Sequence, residues 1–194
     1  MHRVVARLPR FWRPASGLDD RGALLKRMPK GARCAELGVW KGQFSTRILE
    51  ITKPRLLHLV DPWLYQPRFP YRHYGGKTAR NQEDMDAIYN EVVDKFMNSS
   101  NVKVHRATSK AFFAHIRARL DWVYIDGDHS TEAVLEDLTL AWQRVEDLSV
   151  VAGDDYYWKD FDGTLPVKIA VDKFCEQHGC SKELIGGQFL LRKG

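Results

Sequence analysis

The sequence has few cysteines, and none stands in an arrangement typical of a disulfide framework or a zinc site. Cys34, Cys175 and Cys180 are the only three in 194 residues, an odd number without a CxxC pair. The fold must therefore depend on an apolar core, and the 44% of apolar residues is enough to build one. This cysteine usage is typical of a reducing compartment, so we expect a cytoplasmic protein.

Long apolar runs are also missing. No stretch approaches the roughly 18 residues of a membrane span, and the N-terminus lacks the uninterrupted apolar segment of a signal peptide. We therefore expect no membrane span. The net charge of +5 and the isoelectric point near 9.1 allow an anionic partner, but so modest an excess does not indicate one.

Internal repeats, low-complexity tracts and long linkers are absent, which predicts one folded domain. We assign residues 1–32 to an N-terminal arm with a short helix near residues 19–28, and residues 33–194 to the main domain. The arm mixes arginines with apolar and aromatic residues. It could lie on a membrane surface, cover a functional site, or be loosely attached.

From residue 33 onward, short apolar runs alternate with amphipathic stretches, which predicts a mostly parallel sheet covered by helices on both faces. The last two runs flank Gly186-Gly187 and predict an antiparallel hairpin at one edge. The predicted strands are 34–39, 56–60, 102–106, 122–125, 150–152, 183–185 and 188–191, and the predicted helices are 43–51, 83–97, 110–118, 131–145 and 167–178.

Two acidic clusters follow apolar runs in the second half of the chain. Asp126 follows one run, and Asp154 and Asp155 follow the next. If the two runs are neighbouring parallel strands, these side chains meet at the edge of the sheet where open α/β folds bind ligands. Three carboxylates repel one another there unless a cation lies between them, and Mg²⁺ prefers such oxygen ligands.

The turn after the first predicted strand contains Gly38 and Gly42 and precedes a helix, a suitable place for a cofactor. Trp40 stands where the dinucleotide pattern GxGxxG has its middle glycine, so NAD is disfavoured. Asp61 ends the second strand, where an acidic side chain can accept hydrogen bonds from a ribose. A ribose site without a pyrophosphate site suggests S-adenosylmethionine.

The order Glu36-x-Gly38, Asp61, Asp126-Gly127-Asp128-His129 and Asp154-Asp155 resembles class I S-adenosylmethionine-dependent methyltransferases. Within them it is similar to the metal-dependent O-methyltransferases, especially the branch that includes macrolide-sugar methyltransferases. The resemblance runs from about residue 33 to the C-terminus. It implies an α/β, Rossmann-like three-layer sandwich with a seven-stranded, mostly parallel sheet and an antiparallel last strand.

The resemblance also implies roles for individual residues. Asp155 stands where catechol-methylating relatives commonly have an asparagine, which favours a sugar acceptor over a phenol. The metal ligands would be Asp126, Asp154 and Asp155. The cofactor-binding residues would be Glu36, Gly38 and Gly42 at the methionine end and loop, Asp61 at the ribose, Ser109 or neighbouring Thr108 near the adenine, and also Trp63 and Asp126.

Methylation of a hydroxyl requires loss of its proton. A bound Mg²⁺ would lower the pKa of the hydroxyl, and a nearby base would take the proton. His129 and Asp128 are the two candidate catalytic bases. His129 has a suitable ordinary pKa near 6.5 but could instead contact the cofactor or cap the next helix, and Asp128 could simply favour the N-terminus of that helix.

Residues 62–80 form an insert rich in aromatic and basic residues, too long for a plain connection. We expect it to shape a substrate pocket, with a dimer contact in a homo-oligomer as the alternative. Its aromatic faces and basic donors suit a sugar or an aromatic acceptor, and together with the resemblance we favour a small-molecule or oligosaccharide acceptor that carries a sugar hydroxyl. The alternative acceptor is a catechol-like phenol. The less favoured alternatives for the whole protein are a nucleic-acid methyltransferase or binding protein and a cofactor-binding protein that has lost catalysis.

Overall fold

The computed structural model describes residues 19–194, so the predictions for the arm before residue 19 lie outside the described residues. The helices are α1 (Asp20–Arg27), α2 (Gln43–Thr52), α3 (Gln82–Phe96), α4 (Ser109–His115), α5 (Thr131–Arg144) and α6 (Pro166–His178). The strands are β1 (Arg33–Leu37), β2 (Leu56–Asp61), β3 (Val102–Arg106), β4 (Leu120–Ile125), β5 (Val145–Gly153), β6 (Lys182–Ile185) and β7 (Gln188–Arg192).

The seven strands form one sheet in the order β3-β2-β1-β4-β5-β7-β6. Strands β1 to β5 pair in parallel, whereas β7 runs antiparallel to both β5 and β6. This confirms the predicted mostly parallel sheet with a reversed last strand and an edge hairpin. The strand order changes direction beside β1, and ligand-binding crevices of open α/β sheets form at such a point.

Helices cover both faces of the sheet and complete three layers. One buried cluster joins α1, α2 and α3 to the sheet, and the other joins α4, α5 and α6 to its opposite face. The side chains of β4 alternate between them: Trp122 and Tyr124 lie in the first cluster, and Val123 and Ile125 in the second. A strand with apolar residues on both faces must be central, as β4 is.

Most predicted element ends differ from the structure by one or two residues, but β5 differs more. The prediction of a strand limited to residues 150–152 is wrong, since β5 begins at Val145, directly after α5. Val145 pairs with Leu120, and the register then shifts before Trp122 pairs with Val150. Leu148 lies at this irregularity with φ 64° and is 86% exposed, so the apolar pattern is interrupted there.

Two other segments depart from the sequence prediction. Helix α4 stops at His115 rather than residue 118, because Ile116 is extended and its N–H caps the helix on the Phe112 carbonyl. The insert 62–80 contains a helical turn, His73–Lys77, which ends after Gly76 adopts φ 149°. Among the helices of residues 19–194, none is long and apolar enough to cross a membrane.

Candidate functional site

Three carboxylates lie together at the carboxyl ends of β4 and β5, and we call Asp126, Asp154 and Asp155 the acidic rim. The two strands are parallel neighbours with Ile125 opposite Gly153, so the residues that follow them lie side by side. Asp155 has φ 60°, a left-handed conformation rare for a residue other than glycine. This turn places the carboxylate of Asp155 close to the imidazole of His129.

Asp126 and Asp155 of the rim form a compact cluster with His129. His129 Nε2 lies 3.3 Å from Asp155 Oδ2 and 3.7 Å from Asp126 Oδ1. One ligand atom from each residue lies within 4.8 Å of the others. His129 Nε2 is buried and makes no hydrogen bond of normal geometry with the residues the structure describes. A buried nitrogen facing two carboxylate oxygens is a donor set that suits a divalent cation.

Asp154 is held differently from the other two carboxylates. One of its oxygens accepts from Arg21 of α1, and the other accepts from the Gln188 amide of β7. Gln188 in turn accepts from the Tyr124 hydroxyl at 2.5 Å. Arg21 also lies 3.0 Å from Asp126 Oδ2. The structure therefore brings all three predicted ligands to one rim, but only Asp126 and Asp155 share the cluster with His129.

Burial and mutual repulsion set the charges of the rim. Burial, with the nearby Asp154 charge, raises the pKa of Asp155 to about 6, and burial also raises the pKa of Asp126. Burial would lower the pKa of His129, but contact with Asp126 and Asp155 raises it overall. Burial likewise opposes the charge of Arg21, but Tyr124, Asp126 and Asp154 together raise its pKa, so the guanidinium stays charged.

The segment 38–42, the glycine loop, lies against the rim. Gly38 has φ 87°, and a Cβ there would lie 2.0 Å from the carbonyl oxygen of Asp126. Only glycine permits both the conformation and this close approach. Gly42 is the N-cap of α2 with φ 68° and lies against the ring of Phe96. Beneath the loop, Glu36 is buried, accepts from Ser45 Oγ at 2.5 Å, and has a pKa raised by burial to about 8.

Asp61 fixes the shape of the glycine loop. Its carboxylate accepts from the N–H groups of Val39 and Trp40, both at 3.0 Å, and from the N–H of Trp63 at 2.8 Å. The Tyr74 hydroxyl is the fourth donor, at 2.5 Å. Trp63 is fully buried, and its indole N–H donates to the Trp40 carbonyl at 2.9 Å. In this arrangement Trp63 supports the loop from within the core.

Thr108 and Ser109 lie at the start of α4, beyond the carboxyl end of β3. Thr108 is the N-cap, and its side chain accepts from the N–H of Ala111 at 3.2 Å. Ser109 donates to Asp137 of α5, a residue that the sequence patterns did not single out. Burial raises the pKa of Asp137 to about 6. Both predicted residues lie at the carboxyl edge of the sheet, on the β2–β3 side of the glycine loop.

Asp128 contacts groups other than the cluster that contains His129. Its Oδ1 accepts from the N–H of Ser130 at 2.8 Å and lies 3.5 Å from Arg72 in the insert. Ser130 is the N-cap of α5, so Asp128 forms part of the turn that starts this helix. Asp128 is also more exposed than His129, with 38% against 25% of the side chain accessible.

The insert and the loop after β5 form an aromatic wall beside the rim. The Arg72 guanidinium lies over Phe69, 4.6 Å from the ring centroid, and 5.8 Å from that of Trp158. Trp158 packs on His129 with centroids 5.0 Å apart. Tyr71 and Phe161 meet edge to face at 4.3 Å and are both exposed. The insert therefore reaches Asp128 and Trp158, the neighbours of His129.

Arg21 and the residues after Tyr156 are the parts of this site that the sequence patterns missed. Arg21 belongs to a short helix outside the alternating pattern, and no motif links it to residues more than 100 positions away. Trp158 had a weak signal, because it follows the Asp154-Asp155 pair closely. Their part in the site depends on how α1 and the loop after β5 fold over the edge of the sheet.

A family model described as a methyltransferase domain matches residues 35–156, whereas no curated protein matches the chain significantly.

Solved structures of methyltransferases share the fold of this chain. The O-methyltransferase TomG from Streptomyces achromogenes, involved in tomaymycin synthesis and solved with S-adenosylmethionine, is 14% identical with a TM-score of 0.58, over 90% of this chain and 78% of TomG. The S-adenosylhomocysteine-bound methyltransferase PaMTH1 from Podospora anserina is 12% identical with a TM-score of 0.62, over 90% of this chain and 76% of PaMTH1. The O-methyltransferase NovP is 18% identical with a TM-score of 0.59, over 90% of this chain and 79% of NovP. At these identities the structures establish a shared fold.

Proposed function

Because the chain belongs to the methyltransferase-domain family whose model it matches, we propose that it is an S-adenosylmethionine-dependent O-methyltransferase that requires a divalent cation. The proposed acceptor is a hydroxyl of a sugar, glycoside or oligosaccharide. The observation that carries the proposal is the contact between Gly38 of the glycine loop and the backbone of Asp126. A methyl donor on the loop and a hydroxyl at the acidic rim would be neighbours, as in-line transfer requires.

The cofactor would lie along the carboxyl ends of β1, β2 and β3, and when bound it supplies a methyl group on a sulfonium. The glycine loop and Glu36 would hold its methionine end, and Thr108 and Ser109 would lie near the adenine. Asp61 would accept from the ribose. Of the four donors to Asp61, the Tyr74 hydroxyl is the one outside the backbone, so it is the donor that a ribose hydroxyl would replace.

The cation would be held by the carboxylates of the acidic rim, and Mg²⁺ is the expected ion. When bound, a divalent cation lowers the pKa of an acceptor hydroxyl and orients it. Asp126 and Asp155 support this assignment best, since they already share a cluster. The third ligand is either Asp154, which would release Arg21 or Gln188, or His129, whose Nε2 lacks a hydrogen bond among the described residues.

The acceptor proton would pass to His129 or Asp128. His129 is the stronger candidate, because Asp128 is bonded to the turn before α5 and lies near Arg72. Contact with Trp158 fixes the imidazole ring beside the rim. Its Nε2 lies beside Asp126 and Asp155, so the ring is at the place where a hydroxyl bound at the rim would lose its proton.

The aromatic wall supports a ring-shaped acceptor. Phe69 and Trp158, with Arg72 between them, offer apolar faces and a hydrogen-bond donor next to the rim. Such a surface suits the apolar face and hydroxyls of a sugar. It suits the flat ring of a catechol-like phenol as well, which is the second candidate acceptor.

The test is methyl transfer from isotope-labelled S-adenosylmethionine to a panel of glycosides, oligosaccharides and catechols in the presence of Mg²⁺. We expect labelled glycosides, loss of turnover on chelation, and recovery when Mg²⁺ is restored. Asp155→Asn should weaken cation binding and turnover by at least tenfold, since it removes a charged ligand. The matched control is Asp147→Asn, which changes an exposed carboxylate paired with Lys193 away from the rim.

The outcomes separate the parts of the proposal. If calorimetry detects no binding of S-adenosylmethionine, the methyltransferase assignment for this chain is contradicted. Labelling of catechols but not glycosides would replace the sugar acceptor with a phenol. Unchanged turnover after chelation would remove the cation from the reaction.

A further inference from the structure

We propose that Arg21 binds the carboxylate at the amino-acid end of the cofactor. This inference rests on the proposed function, because it concerns the same cleft and the same cofactor. It assigns a specificity-determining residue to α1, a helix that lies before the matched methyltransferase domain.

The position of Arg21 is the first argument. Its guanidinium contacts Asp126 after β4 and Asp154 after β5. It also lies 5.2 Å from the centroid of Phe44, in the first turn of α2. Phe44 closely follows the glycine loop, and Gly38 of that loop lies against Asp126. Arg21 is therefore adjacent to the place where the methionine end would lie.

The second argument is charge. A carboxylate that approaches Asp126 and Asp154 is repelled by both, and a positive charge between them offsets this repulsion. Arg21 supplies that charge from within the protein, since its two ion pairs connect it to both residues. The cofactor carboxylate could then bind while the acidic rim keeps its own charge.

The donor geometry of arginine is the third argument. Both ion pairs of Arg21 within residues 19–194 use the nitrogen Nη2. A guanidinium has five N–H donors in a planar fork, so Nη1 and Nε supply further donors. This fork matches a carboxylate in two parallel hydrogen bonds, which a lysine ammonium cannot reproduce.

Helix α1 holds Arg21 in a fixed place. The helix is anchored at its start, where Asp19 caps it and pairs with Arg47 of α2. Leu24 and Leu25 are fully buried in the core cluster. A side chain that starts from a rigid helix is preorganised, so little ordering cost opposes its contact with a ligand.

The experiment compares two ligands that differ at the amino-acid end. S-Adenosylhomocysteine carries the carboxylate, whereas 5′-methylthioadenosine has the nucleoside and sulfur without the amino acid. Calorimetry on the full chain with Mg²⁺ gives both affinities for the wild type, Arg21→Met and Arg21→Lys. We expect Arg21→Met to weaken S-adenosylhomocysteine binding about 10- to 100-fold, the range of charged hydrogen bonds. Binding of 5′-methylthioadenosine should change less than about twofold, and Arg21→Lys should recover only part of the loss.

The matched control is Arg27→Met, which removes an arginine of the same helix that pairs with Glu183 of β6. It should leave both affinities unchanged. Equal weakening of both ligands by Arg21→Met would overturn the proposal, since it would indicate that Arg21 only supports the shape of the site. Unchanged affinity for S-adenosylhomocysteine would also overturn it. A wild type that binds neither ligand would contradict the proposed function itself.

Discussion

His129 lies beside the acidic rim and is a candidate for two roles, proton transfer and cation binding. Its Nε2 faces Asp126 and Asp155, and its ring packs on Trp158. A histidine that binds the cation cannot use the same nitrogen as a base. Substitution therefore has different consequences for cation affinity and for turnover in the two roles.

We expect His129→Ala to lower turnover about 10²- to 10⁴-fold, the contribution of a general base, with cation and cofactor affinity nearly unchanged. The wild-type rate should rise as the pH passes the pKa of His129, because the imidazole must be neutral to accept a proton. That rise should be absent in the variant. Steady-state rates across pH, with cation affinity measured for each protein, check this.

Asp128→Asn is the matched comparison for His129→Ala, because it changes the other candidate base in the same turn. We expect a smaller effect from it, since Asp128 is bonded to Ser130 and lies near Arg72. A large loss of cation affinity in His129→Ala would instead make His129 a ligand. Full turnover in both variants would exclude both residues as the base.

Single residues also show the limit of sequence reasoning about this site. Asp126, Asp154 and Asp155 could be predicted to share an edge, because the ends of parallel neighbouring strands coincide. The hydrogen bonds from Arg21 and Gln188 to Asp154 could not be predicted. They join segments far apart in the chain, and no local spacing encodes such a contact.

Strands β2 and β3 are joined by a histidine pair as well as by their backbone. His58 Nδ1 lies 2.9 Å from His105 Nε2, and both rings pack on Phe112 of α4. One ring must donate an N–H and the other must accept through an unprotonated nitrogen, so at least one of the two histidines is neutral. Burial, with His105 and nearby basic residues, lowers the pKa of His58 to about 4, and burial also lowers that of His105.

This pair should make the fold sensitive to acid. An unfolded histidine binds its proton near pH 6.5, whereas His58 in the folded chain binds it near pH 4. The stabilisation is therefore fully present above pH 6.5 and is lost as the pH falls towards 4. Since one pKa unit corresponds to about 1.4 kcal/mol, the free energy of unfolding should fall by up to about 3 kcal/mol. Urea unfolding of the wild type and of His58→Leu between pH 7 and about pH 4 measures this contribution.

The His58→Leu variant should lose less stability over this pH range than the wild type, because leucine has a similar volume and does not titrate. His115→Gln is the control, since His115 is exposed on α4 and its variant should keep the wild-type pH dependence. If the free energy of unfolding falls equally with pH in the wild type and in His58→Leu, the histidine pair does not contribute to the acid sensitivity of the fold.

Helices and strands could be predicted from the sequence where their buried apolar residues recur at regular spacing. Strand β4 and helix α3 have unbroken apolar patterns, and the structure confirms both within two residues. Strand β5 begins with exposed positions 146–148, so its first half has no apolar pattern to detect. Its pairing with β4 is created by tertiary contact, which the local sequence does not record.

The whole molecule joins α1 to the matched methyltransferase domain through one core. The sequence pattern separated residues 1–32 from the main domain, yet Leu24, Leu25 and Met28 are buried in the cluster that contains α2 and α3. The Trp122 indole of β4 donates to the Pro29 carbonyl at 3.3 Å, just after the helix. We therefore propose that the folding unit begins at α1 rather than at β1, which also fixes Arg21 over the acidic rim.

Leu25→Ala tests whether α1 belongs to the cooperative core. Leu25 is fully buried, so its truncation should lower the free energy of unfolding by about 2–5 kcal/mol, the cost of a large-to-small change in a core. Lys26→Ala is the matched control, because Lys26 is the exposed next residue of the same helix and should change stability by less than about 0.5 kcal/mol. Urea unfolding followed both by tryptophan fluorescence and by far-ultraviolet circular dichroism should give one coincident transition, shifted to lower urea in Leu25→Ala. If α1 were an arm that docks independently, the main transition of Leu25→Ala would stay at the wild-type midpoint, and the positioning of Arg21 by a rigid helix would lose its basis.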